Sequence, residues 1–170
     1  MSRFVSEVLG EHHALDGFDC GVEPLNRWLR QHSMHAQRMR TARTFVWHRG
    51  DDAVCAYFSL AAHLVVRSEL PARVGRGAPD SIPSVLLARL ALDTDLKGQG
   101  LGGELLWDAL SRACAAAGIA AARLVIVDAV NPVAAAFYEH HGFVAVPGND
   151  HRLVQKVSDI ARALEDPGPA

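Results

Sequence analysis

The chain has 170 residues, a formal net charge of −2 at pH 7, 49% hydrophobic and 21% charged residues. That length suffices for one domain with one core, and the composition is that of a globular protein; no apolar run approaches the roughly 18 residues of a membrane span. Three cysteines, Cys20, Cys55 and Cys114, fit neither a disulfide framework nor a C-x-x-C metal site, and the histidines are scattered or in adjacent pairs, so idle thiols and no metal are expected.

Met1 to His13 carries Glu7, Glu11 and two histidines in place of a basic segment followed by an apolar one. It does not read as a signal peptide, and the cytoplasm is the expected location. Phe4 to Leu9 has the β-branched and apolar character of a short strand, and Phe18-Asp19-Cys20-Gly21 turns the chain. A helix follows from Glu23-Pro24, with Leu25, Trp28, Leu29, His32, Ala36 and Met39 expected on one buried face.

The other face of that helix is basic. Pro24 to Gly50 holds six arginines, Arg27, Arg30, Arg38, Arg40, Arg43 and Arg49, and no aspartate or glutamate, a local departure from a nearly neutral chain. Two readings stand side by side: a solvated helix face, or a patch whose field draws phosphates and weakens with salt. Thr44–Trp47 and Ala53–Val66 read as strands joined by a turn at Gly50-Asp51-Asp52, with Trp47, Tyr57 and Phe58 in the core or on the sheet. Arg67 to Pro83, rich in proline and glycine and carrying Arg73 and Arg76, is expected to be a loop beside the acceptor site.

Ser84 to Leu92 is an apolar strand, interrupted by Arg89, that feeds Lys97-Gly98-Gln99-Gly100-Leu101-Gly102-Gly103. Glycines there permit positive φ and close ligand approach, and a helix expected over Glu104 to Ala117 aims its unpaired amides and positive dipole end at the same point. The turn is therefore an anion site by construction, although a glycine-rich strand-to-helix connection is also an ordinary structural element. It is not a P-loop, having no Gly-Lys-Ser/Thr ending, and its spacing is not that of a dinucleotide fold. Gly118 is the expected helix stop. Arg123–Val127 reads as a buried parallel strand, so strand, turn, helix and strand form a right-handed crossover. Asn131 and Pro132 then cap a helix to His140, Val144–Val146 and Leu153–Val157 complete the sheet, and Asp159–Ala170 is a short helix with a Pro/Gly tail.

Three blocks, L-A-R-L-A-L-D from Leu87, K-G-Q-G-L-G from Lys97 and N-P-V-A-A-A-F-Y-E-H-H-G-F from Asn131, resemble the GNAT acetyltransferase superfamily over Ser84 to Val146. Lys97 is a departure, standing where that family usually has Arg or Gln. F-D-C-G-V-E-P-L-N-R-W-L-R from Phe18, Gln37 and Thr44-Phe45-Val46 extend the likeness to the GNAT toxins of bacterial toxin–antitoxin modules, which acetylate the amino acid on charged transfer RNA.

The resemblance implies a single α/β GNAT domain over 1–170, with a mixed central sheet flanked by helices and a splayed central strand pair forming the acetyl-CoA site. Residues 1–83 would be the acceptor-side half, 84–146 the acetyl-CoA core and 159–170 a C-terminal helix and tail. It assigns acetyl-CoA contacts to the backbone of Leu90, Ala91 and Leu92, to Lys97, Gly98, Gln99, Gly100, Leu101, Gly102 and Gly103, and to Asn131 and Phe137. Arg27, Arg30, Arg38, Arg40, Arg43, Arg76 and Arg89 become candidates for RNA contact. Tyr138 is the implied general acid. A thiol leaves with a pKa near about 8.5 and a phenol holds its proton to about 10, so tyrosine can donate to a departing CoA thiolate at neutral pH.

No base is equally clear. Glu139, His140 and His141 point away from Tyr138 on a helix, and Glu69 and Asp93 have no better support. An α-amine titrating near about 7.7–8.0 needs little help, which favours an aminoacyl acceptor over a lysine. The implied partners are charged tRNA and a ribbon-helix-helix antitoxin, with a homodimer allowed and no membrane. The alternatives are a GNAT enzyme for a small-molecule or protein amine, and a non-catalytic acetyl-CoA-binding protein.

Overall fold

β-Branched and aromatic runs build seven strands in the computed structural model, which describes residues 3–166. They are β1 Val5–Val8, β2 Arg43–His48, β3 Ala56–Val66, β4 Ser81–Leu92, β5 Leu124–Asp128, β6 Val144–Val146 and β7 Asn149–Lys156. The helices are α1 Glu23–Gln31, α2 Ser33–Arg38, α3 Ala72–Gly75, α4 Leu101–Ala120, α5 Pro132–His140 and α6 Val157–Glu165. The sheet order is β1-β2-β3-β4-β5-β7-β6. β4 and β5 are parallel, whereas β1–β2, β2–β3, β5–β7 and β6–β7 are antiparallel, so the sheet is mixed as expected. No helix among the described residues is long and apolar enough to cross a membrane.

The chain divides into two compact units, one through Ala61 with Arg89–Ala109, the other Ala62–Ala88 with Leu110 onward. The halves 1–83 and 84–146, drawn by function, cut across these units. The tail residues 167–170 lie outside the described residues.

In the first unit Leu9, Phe18, Leu29, Val46, Val54, Tyr57 and Ala91 form a closed cluster flanked by Leu25, Trp28 and Met34. Polar groups inside it are paired: Thr44 and Ser59 share a hydroxyl hydrogen bond of 2.9 Å across β2 and β3, and the Tyr57 hydroxyl donates to the Leu25 carbonyl at 2.7 Å. The single helix expected from Glu23 is in fact two. At His32 (φ −123°, ψ −23°) the backbone leaves helical geometry, ending α1 and starting α2. The phase slip buries Ser33, whose hydroxyl donates to the Leu29 carbonyl at 2.6 Å, and leaves His32 and Met39 exposed where the periodicity had put them inside.

In the second unit Val65, Leu70, Val74, Ala78, Ile82, Leu124, Ile126, Val146 and Val154 make the core. Leu70, Val74 and Ala78 explain why 67–83 is not the loop expected: burying them folds a 3₁₀ turn at Arg67–Glu69 and helix α3, and β4 begins at Ser81. Arg67 locks that segment by donating to Ala78 O at 2.7 Å and Asp80 Oδ1 at 2.8 Å.

Helix α4 also departs at both ends. It starts at Leu101, so Gly102 and Gly103 are helical, and it passes through Gly118 to Ala120. Ala121 takes the left-handed position at φ +50°, the role assigned to Gly118. Ala121→Gly removes that strain from an exposed site and is expected to raise stability by roughly 0.5–1 kcal/mol in a urea melt.

Candidate active site

The glycine turn is open backbone. After β4 a 3₁₀ turn, Thr94–Leu96, leads to Lys97; Gly98 (φ +79°) and Gly100 (φ +75°) then take left-handed conformations, and nothing lies within 4 Å of where either Cβ would stand. Lys97 to Gly100 are exposed, while Leu101 is buried and pins the first residue of α4. The first amides of α4 lack helical partners, which concentrates donors and the positive dipole end at Gly100–Glu104. Upstream, the register of β4 with β5 runs from Ser84↔Leu124 to Leu87↔Val127 and stops, so Leu90, Ala91 and Leu92 have no ladder partner in β5.

Lys97 does not project as a free cation. Its ammonium donates to the Cys20 carbonyl at 2.6 Å. Arg89, a candidate for RNA contact, lies with its guanidinium carbon 3.8 Å from the Trp28 ring centroid, a cation–π contact.

The basic stretch is partly neutralised by acids from outside it. Arg30 pairs with Glu23 at 3.2 Å and donates to Phe18 O, and Arg38 pairs with Glu11 at 2.6 Å. Arg27, Arg40 and Arg43 are exposed and have no ion pair among the described residues. Arg76 belongs to the other unit, where its carbonyl accepts from Arg123 at 3.0 Å.

Tyr138 is 7% exposed on α5, edge-on to Phe137 and Phe143 at 5.4 and 5.7 Å between centroids. Burial alone pushes its phenol well above the ordinary tyrosine range, and its hydroxyl has no hydrogen-bond partner among the described residues. Tyr57 is the internal contrast, equally raised by burial but with its hydroxyl committed to Leu25. Tyr138 differs from Tyr57 in that no group among the described residues holds its proton. Asn131 caps α5 as expected, its Oδ1 accepting from Ala134 N–H at 2.8 Å, which leaves the amide NH₂ as its free donor. Phe137 is half-buried beside His141.

Two constellations were not visible in the sequence. One fastens the Phe18–Val22 turn to the residues before the glycine turn, through Asp19, Asn26, Asp93 and Lys97. The other gathers scattered histidines: ligand atoms of Glu7, His12, His13 and Asp52 lie within 4.8 Å of one another. Hydrogen-bond directions define its chemistry. His13 Nδ1 accepts from Gly10 N–H and His48 Nδ1 from Gly50 N–H, so both carry their proton on Nε2 and donate it to Glu7 Oε1, at 2.9 and 2.7 Å. Those two rings serve the carboxylate as donors, with no lone pair left for a cation.

The bonds from His48 and His13 hold the Glu7 carboxyl down at about 2, against 4.5 ordinarily. A depressed acid contributes stability above its unfolded pKa, and that contribution is lost as pH falls from 4.5 toward about 2. Glu7→Gln is expected to flatten the stability slope in that window, as read by urea midpoints from pH 6 to pH 3.

The model of the acetyltransferase (GNAT) domain matches residues 41–145. The chain belongs to the GNAT acetyltransferase family. A tRNA-acetylating toxin of Mycobacterium tuberculosis is 37% identical over 147 residues, covering 86% of this chain and 87% of that protein. Among solved structures, AtaT complexed with acetyl-methionyl-tRNAfMet superposes with a TM-score of 0.87 at 30% identity, covering 94% of this chain and 98% of that one. A tyrosine-to-phenylalanine mutant of AtaT bound to the C-terminus of the antitoxin AtaR and acetyl-CoA gives 0.83 at 28% identity, covering 97% and 100%. For this GNAT chain the match spans strands, turn and α5 alike. Burial raises the thiols of Cys20, Cys55 and Cys114, all of them free.

Proposed function

We propose that this GNAT chain moves acetyl from acetyl-CoA to the α-amino group of the amino acid on a charged tRNA and so blocks translation, as the toxin of a toxin–antitoxin pair. The observation that carries this reading is the 37% identity, over nearly the full length of both chains, to a tRNA-acetylating toxin. The antitoxin is proposed as a ribbon-helix-helix protein on the resemblance to that toxin group, and the reaction as one that needs no metal.

Acetyl-CoA would be held by main chain. The amides of Gly98 to Gly103 take the diphosphate, Gln99 and Leu101 lending backbone groups, and the Leu90–Leu92 backbone takes the pantetheine arm and the thioester oxygen. A preorganised N–H aimed at that oxygen as the amine adds is worth about 2.7–4 kcal/mol. The neutral α-amine attacks the thioester carbonyl and the C–S bond breaks as the Tyr138 hydroxyl gives its proton to the sulfur; the proton that the nitrogen sheds on becoming an amide passes to solvent, and the Tyr138 phenolate takes one back. The Asn131 amide and Phe137 are further acetyl-CoA contacts. Arg27, Arg40, Arg43 and Arg76, exposed and without acid partners among the described residues, are the proposed RNA phosphate contacts, with Arg30, Arg38 and Arg89 more committed to the protein.

The test is incubation with labelled acetyl-CoA and a pool of charged tRNAs. Label is expected on the aminoacyl ends of specific charged tRNAs and not on uncharged RNA. Label on free amines or protein lysines only would overturn the acceptor assignment.

A further inference from the structure

Before the glycine turn stands a short connection, Asp93 to Lys97, whose position is fixed by a different part of the chain. Thr94 N–H donates to Asp19 O at 2.9 Å, and Asp19 N–H donates back to Asp93 Oδ2 at 3.2 Å. Lys97 Nζ donates to Cys20 O at 2.6 Å. The receiving turn is itself held: Asp19 Oδ1 accepts from Gly21 N–H and from the Asn26 amide, both at 2.9 Å, and Asn26 Oδ1 accepts from Cys20 N–H at 2.9 Å. Asn26 is 3% exposed, and Phe18 and Cys20 are rooted in the core at 1% and 2%. Asp93 Oδ1 also caps the 3₁₀ turn through Asp95 N–H at 3.0 Å. Gly21, at φ +82°, passes so close that a Cβ would stand 3.4 Å from Thr94 Cγ2 and 3.6 Å from Lys97 Nζ.

We infer that Asp19, Asp93 and Lys97 are positioning residues for acetyl-CoA, forming a clasp that holds the start of the glycine turn so that its amides are aligned before the diphosphate arrives. The inference rests on the acetyl-CoA reading of that turn. It gives the F-D-C-G block a task in donor binding, and it makes Lys97 a splint for the backbone in place of a phosphate ligand.

The sign of the effect separates alignment from simple charge. Two of the three residues are carboxylates near a site for a polyanion, Asp93 by its place in the sequence and Asp19 by its hydrogen bond to Asp93. If charge alone mattered, removing either would tighten acetyl-CoA binding. A clasp predicts the reverse. For Asp19→Ala, Asp93→Ala and Lys97→Met, KM for acetyl-CoA should rise roughly 3- to 10-fold, the value of one or two lost hydrogen bonds, with kcat at saturation within about twofold. Asp93→Asn keeps an oxygen for Asp19 N–H and should recover most of the loss. Asp19→Ala combined with Lys97→Met should be no worse than about the weaker single, because either cut opens the same clasp.

The measurements are steady-state acetylation with acetyl-CoA varied, calorimetric titration with CoA, and a thermal melt of each variant. Lys97 lies at the surface, so Lys97→Met reports even where a carboxylate variant does not fold. Unchanged or lowered KM in the carboxylate variants, or a Lys97→Met loss that vanishes at high salt as a direct phosphate contact would, overturns the clasp. Wild-type protein that fails to bind CoA overturns the acetyl-CoA reading itself; wild-type binding with indistinguishable variants overturns the clasp alone.

Discussion

Tyr138→Phe is expected to lower acetyl transfer by roughly 10²- to 10⁴-fold while acetyl-CoA affinity and stability stay close to wild type, the range that general-acid catalysis contributes. The packing makes this an unusually clean substitution. The ring sits edge-on between Phe137 and Phe143, contacts that phenylalanine keeps, and the hydroxyl has no hydrogen-bond partner among the described residues, so its removal orphans nothing. Tyr57→Phe is the matched control: it leaves the Leu25 carbonyl without its donor, so it should cost about 1 kcal/mol of stability and little turnover. The pH profile carries a second readout. Because burial raises the Tyr138 phenol, its proton is retained throughout the working range and no falling limb belongs to it. kcat/KM should rise as an acceptor α-amine deprotonates near about 7.7–8.0 and then stay level. Near-normal turnover in Tyr138→Phe would remove the proton-donor role, and toxicity of the expressed chain that survives the substitution would do the same in cells.

What was legible in the sequence was what short-range chemistry encodes. Helix α5 has the expected bounds, Pro132–His140, because an Asn cap and a proline at the first helical position are local signals that no distant contact overrides. The glycine turn was legible because left-handed backbone at Gly98 and Gly100 leaves a mark in composition. Where the reading departed, a tertiary contact decided. Helical spacing ran smoothly through His32, but burying Ser33 against Leu29 required a break there. Gly118 looked like a stop, yet α4 continues to Ala120 and Ala121 accepts the strained position instead. The basic stretch contains no acid in sequence, while Glu11 and Glu23 reach it in space. The clasp and the Glu7 cluster join residues separated by tens of positions, as with Lys97 and Cys20 or Glu7 and His48, and no window of sequence contains either.

Gly100→Val should raise the dissociation constant for CoA by about 100-fold or more while the protein remains folded. At φ +75° a β-branched residue carries a left-handed penalty of roughly 1–2 kcal/mol, so the backbone escapes by turning this peptide away. Nothing lies within 4 Å of the Cβ position and the residue is exposed, so the change meets no neighbour and disturbs no core. Stability therefore falls by no more than about that strain, a shift of several degrees in a melt for a chain of this size. Binding suffers far more. The amides from Gly100 to Gly103 are useful to a diphosphate only when they converge, and each hydrogen bond to a charged group contributes about 1.5–3 kcal/mol, so losing two exceeds the folding cost. The expected signature is a large loss in calorimetric titration with CoA beside a small loss in thermal stability. A variant that binds CoA like wild type would show that the turn is only a connection between β4 and α4, and the acetyl-CoA assignment of Gly98–Gly103 would have to be given up.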